Sequence, residues 1–208
     1  IPNCDFGMHV IPYCFENGNK ICAYEFQGYW KDVGTLSSYW EANMELISLI
    51  PEFNLYEEYW RVYTKSESIP PQFIGKNGKV SGSIVGEETE IYGEVTNSVI
   101  GSDVVIGEGA VIKDSIIMNH TRIGDNAVIN KAVIAENCEI EDCVELGVFE
   151  EADNTVAPHI YNNGLVAVGQ NSYIPYKVKV GKNVAIFGKT TPDDYPDRVL
   201  PSGEYLVK

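Results

Sequence analysis

Residues 97–143 repeat themselves every seventeen positions. "NSVIG" (97–101), "DSIIM" (114–118) and "KAVIA" (131–135) fall in register, as do "GAVI" (109–112) and "NAVI" (126–129), and likewise "IGEG" (106–109), "IGDN" (123–126) and "IEDC" (140–143). One series of aliphatics runs through these units: Ile100, Ile106, Ile112, Ile117, Ile123, Ile129, Ile134 and Ile140, at steps of six or five. A step of six matches neither the stripe of a helix nor the alternation of a strand. It places one inward aliphatic on each short flat strand, with a corner between strands. Three such strands close a triangular coil, and seventeen residues are three hexapeptides less one. Gly, Asn, Asp and Ser stand at the corners, and these residues tolerate turn dihedrals. Coils stacked about 4.8 Å apart pair their backbone groups with the coils above and below. No coil buries its apolar row alone, so stability belongs to the stack. The spacing predicts a mainly β chain built on a parallel β-helix. An irregular segment from about Leu146 to Gly164 interrupts the rhythm, and Val168, Ile174, Val180 and Ile186 resume it at a strict six.

The front of the chain has another character. We assign 1–65 to an α/β unit with its connector and 66–208 to the β-helix with a capping tail. The pattern predicts a short helix at Val10–Glu16, a turn in "ENGNK" and a strand at Ile21–Phe26. The turn Asp32–Val33–Gly34–Thr35 follows, and then a helix from Leu36 to about Leu49. Leu36, Trp40, Met44 and Ile47 form one stripe on that helix, Thr35 is the expected N-cap, and Pro51 the expected stop. "PEFNLYEEYWRVYTKSESIPPQF" is a Pro-bounded connector whose aromatics are expected to lie against a surface. "TTPDDYPDRVLPSGEYLVK" is expected to cap the end of the stack, which would otherwise expose unpaired ladder groups. The first residue is Ile, not Met, and "IPNCDFGMHVIP" already reads as structured, so we expect a piece of a longer protein.

The charge limits the partners. Thirty acidic against 15 basic residues leave a formal net charge of −15. Such a surface repels phosphate backbones and anionic lipid, so neither nucleic acid nor membrane is an expected partner. A local Lys/Arg pocket still suits a small anion. Cys4, Cys14, Cys22, Cys138 and Cys143 are odd in number and lack C-x-x-C spacing, which fits free thiols in a reducing compartment. With no signal peptide or apolar run of spanning length in this sequence, the expected location is the cytosol.

Chemistry concentrates in "EFQGYWKDVGTLSSYWEANMELI" (25–47). Asp32 follows a predicted strand and precedes a Gly-Thr turn and a helix. A carboxylate there can hold a divalent cation that bridges phosphates. The plainer reading is that Asp32 caps the turn. "GYWKDVGTLSSYWEANMEL" closely resembles the W-x-D-x-G-T region of sugar-nucleotide pyrophosphorylases, and among them the glucose-1-phosphate adenylyltransferases. "CDFGMHVIP" resembles the segment that precedes this motif in that family, and "IPPQFIG" resembles its linker into a left-handed β-helix of hexapeptide repeats. The resemblance covers essentially all 208 residues and weakens after about Leu146. It implies the end of a Rossmann-like catalytic domain joined to the β-helix, and the Gly-rich nucleotide loop of that domain is not in this sequence. Asp32 would then be the catalytic carboxylate that binds Mg²⁺, and Lys31 a basic position that favours the anionic substrate. ATP and glucose-1-phosphate would be the substrates and ADP-glucose and pyrophosphate the products. The resemblance also implies a homo- or hetero-oligomer, a tetramer, with a sugar-phosphate or nucleotide effector, and the isolated chain should be inactive. Trp30 reads as core, and Asp5 as a cap.

Two other readings compete. A hexapeptide acyltransferase would use a histidine base on the β-helix, for which His120 is the candidate; a solvated corner histidine is the plainer reading. A non-catalytic regulatory subunit of the same family is the other. A carbonic-anhydrase-like metal site is disfavoured by the spread of His9, His120 and His159. Lys113, Arg122 and Lys131 lie in the coils, and Lys177, Lys179 and Lys182 in the last one, where alternation puts Lys177 and Lys179 on one face.

Overall fold

The computed structural model describes residues 4–48, 51–61, 63 and 69–208. Contacts group the chain into two compact units, Ile1–Trp30 and Lys31–Lys208.

In the second unit the predicted coils form. Short parallel strands stack into three sheets of six, seven and seven strands. The inward aliphatics pair with their counterparts one coil away. On the first face Ile91, Ile106, Ile123 and Ile140 stand in register, and Ile140 pairs with Ile174. The second face carries Val95, Ile112, Ile129, Leu146 and Val180 in register. On the third, Ile100, Ile117, Ile134, Val168 and Ile186 do the same. These columns are buried and merge into one core. The corners demand unusual backbone. Asn97, Asp114 and Lys131, each opening one of the quoted units, have φ of 48°, 51° and 52°. That left-handed region is tolerable for Asn and Asp and costs more for Lys. Inside the same corner, Ser98 Oγ accepts from the Ser115 amide and Ser115 Oγ from the Ala132 amide, both at 3.1 Å, so the buried hydroxyls link successive coils.

The excursion after Leu146 returns at the strand Val166–Val168 without disturbing the stack. It leaves through Gly147, whose φ is +78° and where a Cβ would lie 2.1 Å from the Asn130 carbonyl oxygen, a position only glycine fills. The segment is stapled to the final coils. The buried Asn154 amide donates to the Asn183 carbonyl at 2.8 Å, the Thr155 amide to the Gly203 carbonyl at 2.8 Å, and the Ser202 hydroxyl to the Glu150 carbonyl at 2.6 Å.

The tail does more than lie along the stack. Its strands Val199–Leu200 and Tyr205–Val207 extend the second and third sheets as a partial last coil. Tyr195 is buried there, its hydroxyl 2.8 Å from Thr190 Oγ1, and burial pushes the phenol up to about 12. The unfolded chain therefore gives up this proton first, near pH 10. Stability present below pH ~10 is lost as pH rises towards about 12. Alkaline titration of the unfolding free energy should show this fall, and Tyr195→Phe should flatten it. An unchanged slope in the variant would reject the assignment.

Helix α2 (Leu36–Leu46) belongs with the coils. It ends at Leu46, with Ile47 as C-cap, so it is shorter than the spacing predicted; Leu49 lies outside the described residues. Leu36, Tyr39, Trp40 and Met44 pack on Ile116, Val133 and Leu165, with Val99 and Met118 at the margin. Val99, Ile116 and Val133 each precede an inward residue of the third face, so they point outward. The helix stripe thus covers an apolar column on the outside of the β-helix.

The first unit holds a π-helical turn at Phe6–Val10 continuing into α1 (Ile11–Glu16), and the "ENGNK" turn forms after it. Asp5 caps the first turn, its carboxylate accepting from the Met8 amide at 2.6 Å. The strand expected at Ile21–Phe26 does not form. A strand is defined by a neighbour that takes its backbone hydrogen bonds, and the described residues offer it none. Trp30, read as core, is 76% exposed. The connector aromatics Tyr56, Tyr59, Trp60 and Tyr63 are likewise exposed rather than laid against a surface.

Candidate functional site

The turn 31–35 is built by the helix that follows it. Thr35 is the N-cap of α2: its hydroxyl accepts from the Ser38 amide at 3.1 Å, and the Ser38 hydroxyl accepts from the Thr35 amide at 3.1 Å. This reciprocal box satisfies two amides that the helix start leaves open. Asp32 is therefore not the cap. Its carboxylate is exposed, folds over Gly34 with Oδ1 3.5 Å from where a Cβ would stand, and makes no hydrogen bond or ion pair among the described residues. The sequence left the capping and chemical readings of Asp32 open; the geometry gives the capping to Thr35.

Lys31 is bonded back to helix α2. Its ammonium bonds to Glu45 and lies 3.4 Å from Glu41, both on α2. The bond to Glu45 outweighs the opposing desolvation and holds the Lys31 ammonium above its usual range. The segment just before Asp32 is thus folded back along the helix that begins just after it. Sequence reasoning missed this clamp, although its signal was present: glutamates four apart on one helix face, within reach of a lysine upstream.

The basic residues of the coils are engaged singly. Lys131 sits over the Trp40 ring at 5.3 Å, Lys179 pairs with Glu145 at 2.8 Å, and Arg122 lies 3.8 Å from Asp103. Lys177 does not alternate with Lys179 on a strand. It is a corner residue with φ of 59°, although both line one shallow concavity with Cys143 and Arg198. His120 is also a corner residue, exposed, with Nδ1 2.9 Å from Asp103 Oδ2. Among the described residues no three His, Cys, Asp or Glu side chains gather as a metal cage. None of the helices there is long and apolar enough to cross a membrane.

Comparison with known proteins finds two family matches along the chain. A nucleotidyl transferase family model matches residues 3–48, and a model of the GlmU-like C-terminal hexapeptide matches residues 70–168. The glucose-1-phosphate adenylyltransferase of Lachnospira eligens is 63% identical over 205 residues, which cover 99% of this chain and 48% of that protein. Those of Thermotoga maritima and Acetivibrio thermocellus are 50% and 41% identical over 204 residues, 98% of this chain and again 48% of theirs. The chain spans about half the length of the curated relatives it matches. Along nearly its whole length it is similar to the C-terminal half of these glucose-1-phosphate adenylyltransferases.

Proposed function

We propose that this chain is the C-terminal half of an enzyme that joins ATP and glucose-1-phosphate to give ADP-glucose and pyrophosphate. The observation that carries the reading is the 63% identity to such an enzyme across 205 residues, the Lys-Asp-x-Gly-Thr turn included. In the reaction a glucose-1-phosphate oxygen bonds to the α-phosphorus of ATP, the bond to the bridging oxygen breaks, and pyrophosphate leaves with the electron pair. Asp32 fits a Mg²⁺ site as one hard oxygen donor, because its carboxylate has no described partner; such sites use one or two carboxylates and fill the rest with water and phosphate oxygens. The ion, when bound, neutralises charge that builds on the phosphates. Lys31 acts by holding Asp32 against α2, since its ammonium already serves two glutamates. The β-helix supports oligomer contacts and effector binding in this reading, in a cytosolic protein.

The test is direct. The native gene should yield a protein about twice as long as this chain, able to make ADP-glucose from ATP and glucose-1-phosphate with Mg²⁺. The 208 residues alone should make none. A native product of 208 residues, or turnover by the isolated chain, would defeat the proposal.

A further inference from the structure

We propose that Trp40 is a positioning residue that fixes Asp32 by anchoring helix α2 to one corner column of the β-helix. The inference rests on the role of Asp32 proposed above. The Trp40 indole donates to the Asp114 carbonyl at 2.7 Å, across 74 positions of sequence. Asp114 is no ordinary acceptor. It is a left-handed corner residue with φ of 51°, its backbone amide donates to the Thr96 carbonyl at 3.2 Å, and its carboxylate accepts from the Asn97 side-chain Nδ2 at 2.5 Å. Lys131, the same corner one coil further on, places its ammonium 5.3 Å above the Trp40 ring. Asn97, Asp114 and Lys131 are the first residues of the seventeen-residue units, so the indole is tied to the repeat itself.

From Trp40 the constraint reaches Asp32 by two routes, both of covalent or hydrogen-bonded contacts. One runs back along α2 to the Thr35–Ser38 box and through Gly34. The other runs forward along α2 to Glu41 and Glu45, and from them across to Lys31. Asp32 lies between Lys31 and the cap, so its backbone is held at both sides by one helix. That helix has 11 residues and no buried residue of its own. A helix this short is marginal in water and takes its stability from packing. The anchor therefore decides how sharply the Asp32 carboxylate is placed. A misplacement of about 1 Å at a reacting centre can cost on the order of 100-fold in rate.

The experiment uses the full-length protein with Trp40→Phe, which leaves a smaller aromatic ring and deletes the donor, and with Lys131→Met, which keeps the indole bond. Trp40→Phe should raise the Mg²⁺ concentration for half-maximal rate about 3- to 10-fold, leave KM for glucose-1-phosphate within about twofold, and speed amide exchange across 36–46 about 10-fold while coil amides are unchanged. Lys131→Met should shift both readouts in the same direction and by less. In an Asp32→Asn background Trp40→Phe should change the Mg²⁺ response no further, as expected of residues acting through one another. An unaltered Mg²⁺ response and exchange in both variants, or an equal added loss in the Asp32→Asn background, would overturn the coupling alone. A wild-type Mg²⁺ response in Asp32→Asn itself would overturn the reading of the site, and the proposal with it.

Discussion

Asp32→Asn in the full-length enzyme should lower kcat/KM for ADP-glucose synthesis by about 10²- to 10⁴-fold, on the order of 3–5 kcal/mol of transition-state stabilisation. Asparagine keeps the size of the side chain and one oxygen but loses the charge that a divalent cation recognises. Part of the rate should return at high Mg²⁺, because a neutral oxygen still coordinates weakly. The fold should not notice the change. The carboxylate is exposed and without a partner among the described residues, and surface positions of that kind move stability by about 0.5 kcal/mol or less. Steady-state rates across a Mg²⁺ titration, with a thermal melt beside them, make the measurement. Rates within about threefold of wild type at every Mg²⁺ concentration would remove Asp32 from the chemistry.

Ile129→Ala should destabilise the β-helix by about 2–5 kcal/mol, the range for deleting the methyl groups of a fully buried isoleucine. Ile129 is completely buried and pairs with Ile112 and Leu146 in the coils on either side. The void opens in the middle of the column, and neighbours on both sides lose contacts. Val128, one residue away, points outward and is 37% exposed, and Val128→Ala should cost about 0.5 kcal/mol or less. Urea unfolding of the two variants separates them. Midpoints that move by similar small amounts would mean that the column is not the core.

The β-helix was legible because its signal is redundant: each inward aliphatic is predicted by the one seventeen residues earlier, and the left-handed corners by Asn, Asp and Gly between them. Helix α2 was legible from its stripe and its cap. Its destination was also written in the repeat, as the apolar doublets "VI", "II" and "VI" at 99–100, 116–117 and 133–134, but an outward apolar column announces only that it is covered, not by what. The same limit explains the strand missing at Ile21–Phe26 and the exposure of Trp30 and Trp60. Alternation and aromatic content report a preference for burial, and a preference needs a surface to meet. At the site, the residue types singled out Asp32, and the resemblance gave it a role. The pairing of Lys31 with Glu41 and Glu45 was less visible, because it depends on the chain doubling back at Gly34, and long charged side chains choose partners by proximity rather than by pattern.

The excursion between Leu146 and Val166 has a consequence for the order in which the chain can fold as it is synthesised. Coils before it need only their predecessor, so each can close soon after its seventeen residues emerge. The excursion instead takes its bonds from Asn183, Ser202, Gly203 and Glu204. The Asn154 side-chain nitrogen has neither of its acceptors until those residues exist, although its oxygen already takes the Val156 and Ala157 amides. The final coils therefore close together, only once residues up to 204 have emerged, and a nascent chain that has emerged only to about residue 180 holds the earlier coils stacked with an open loop at their growing end.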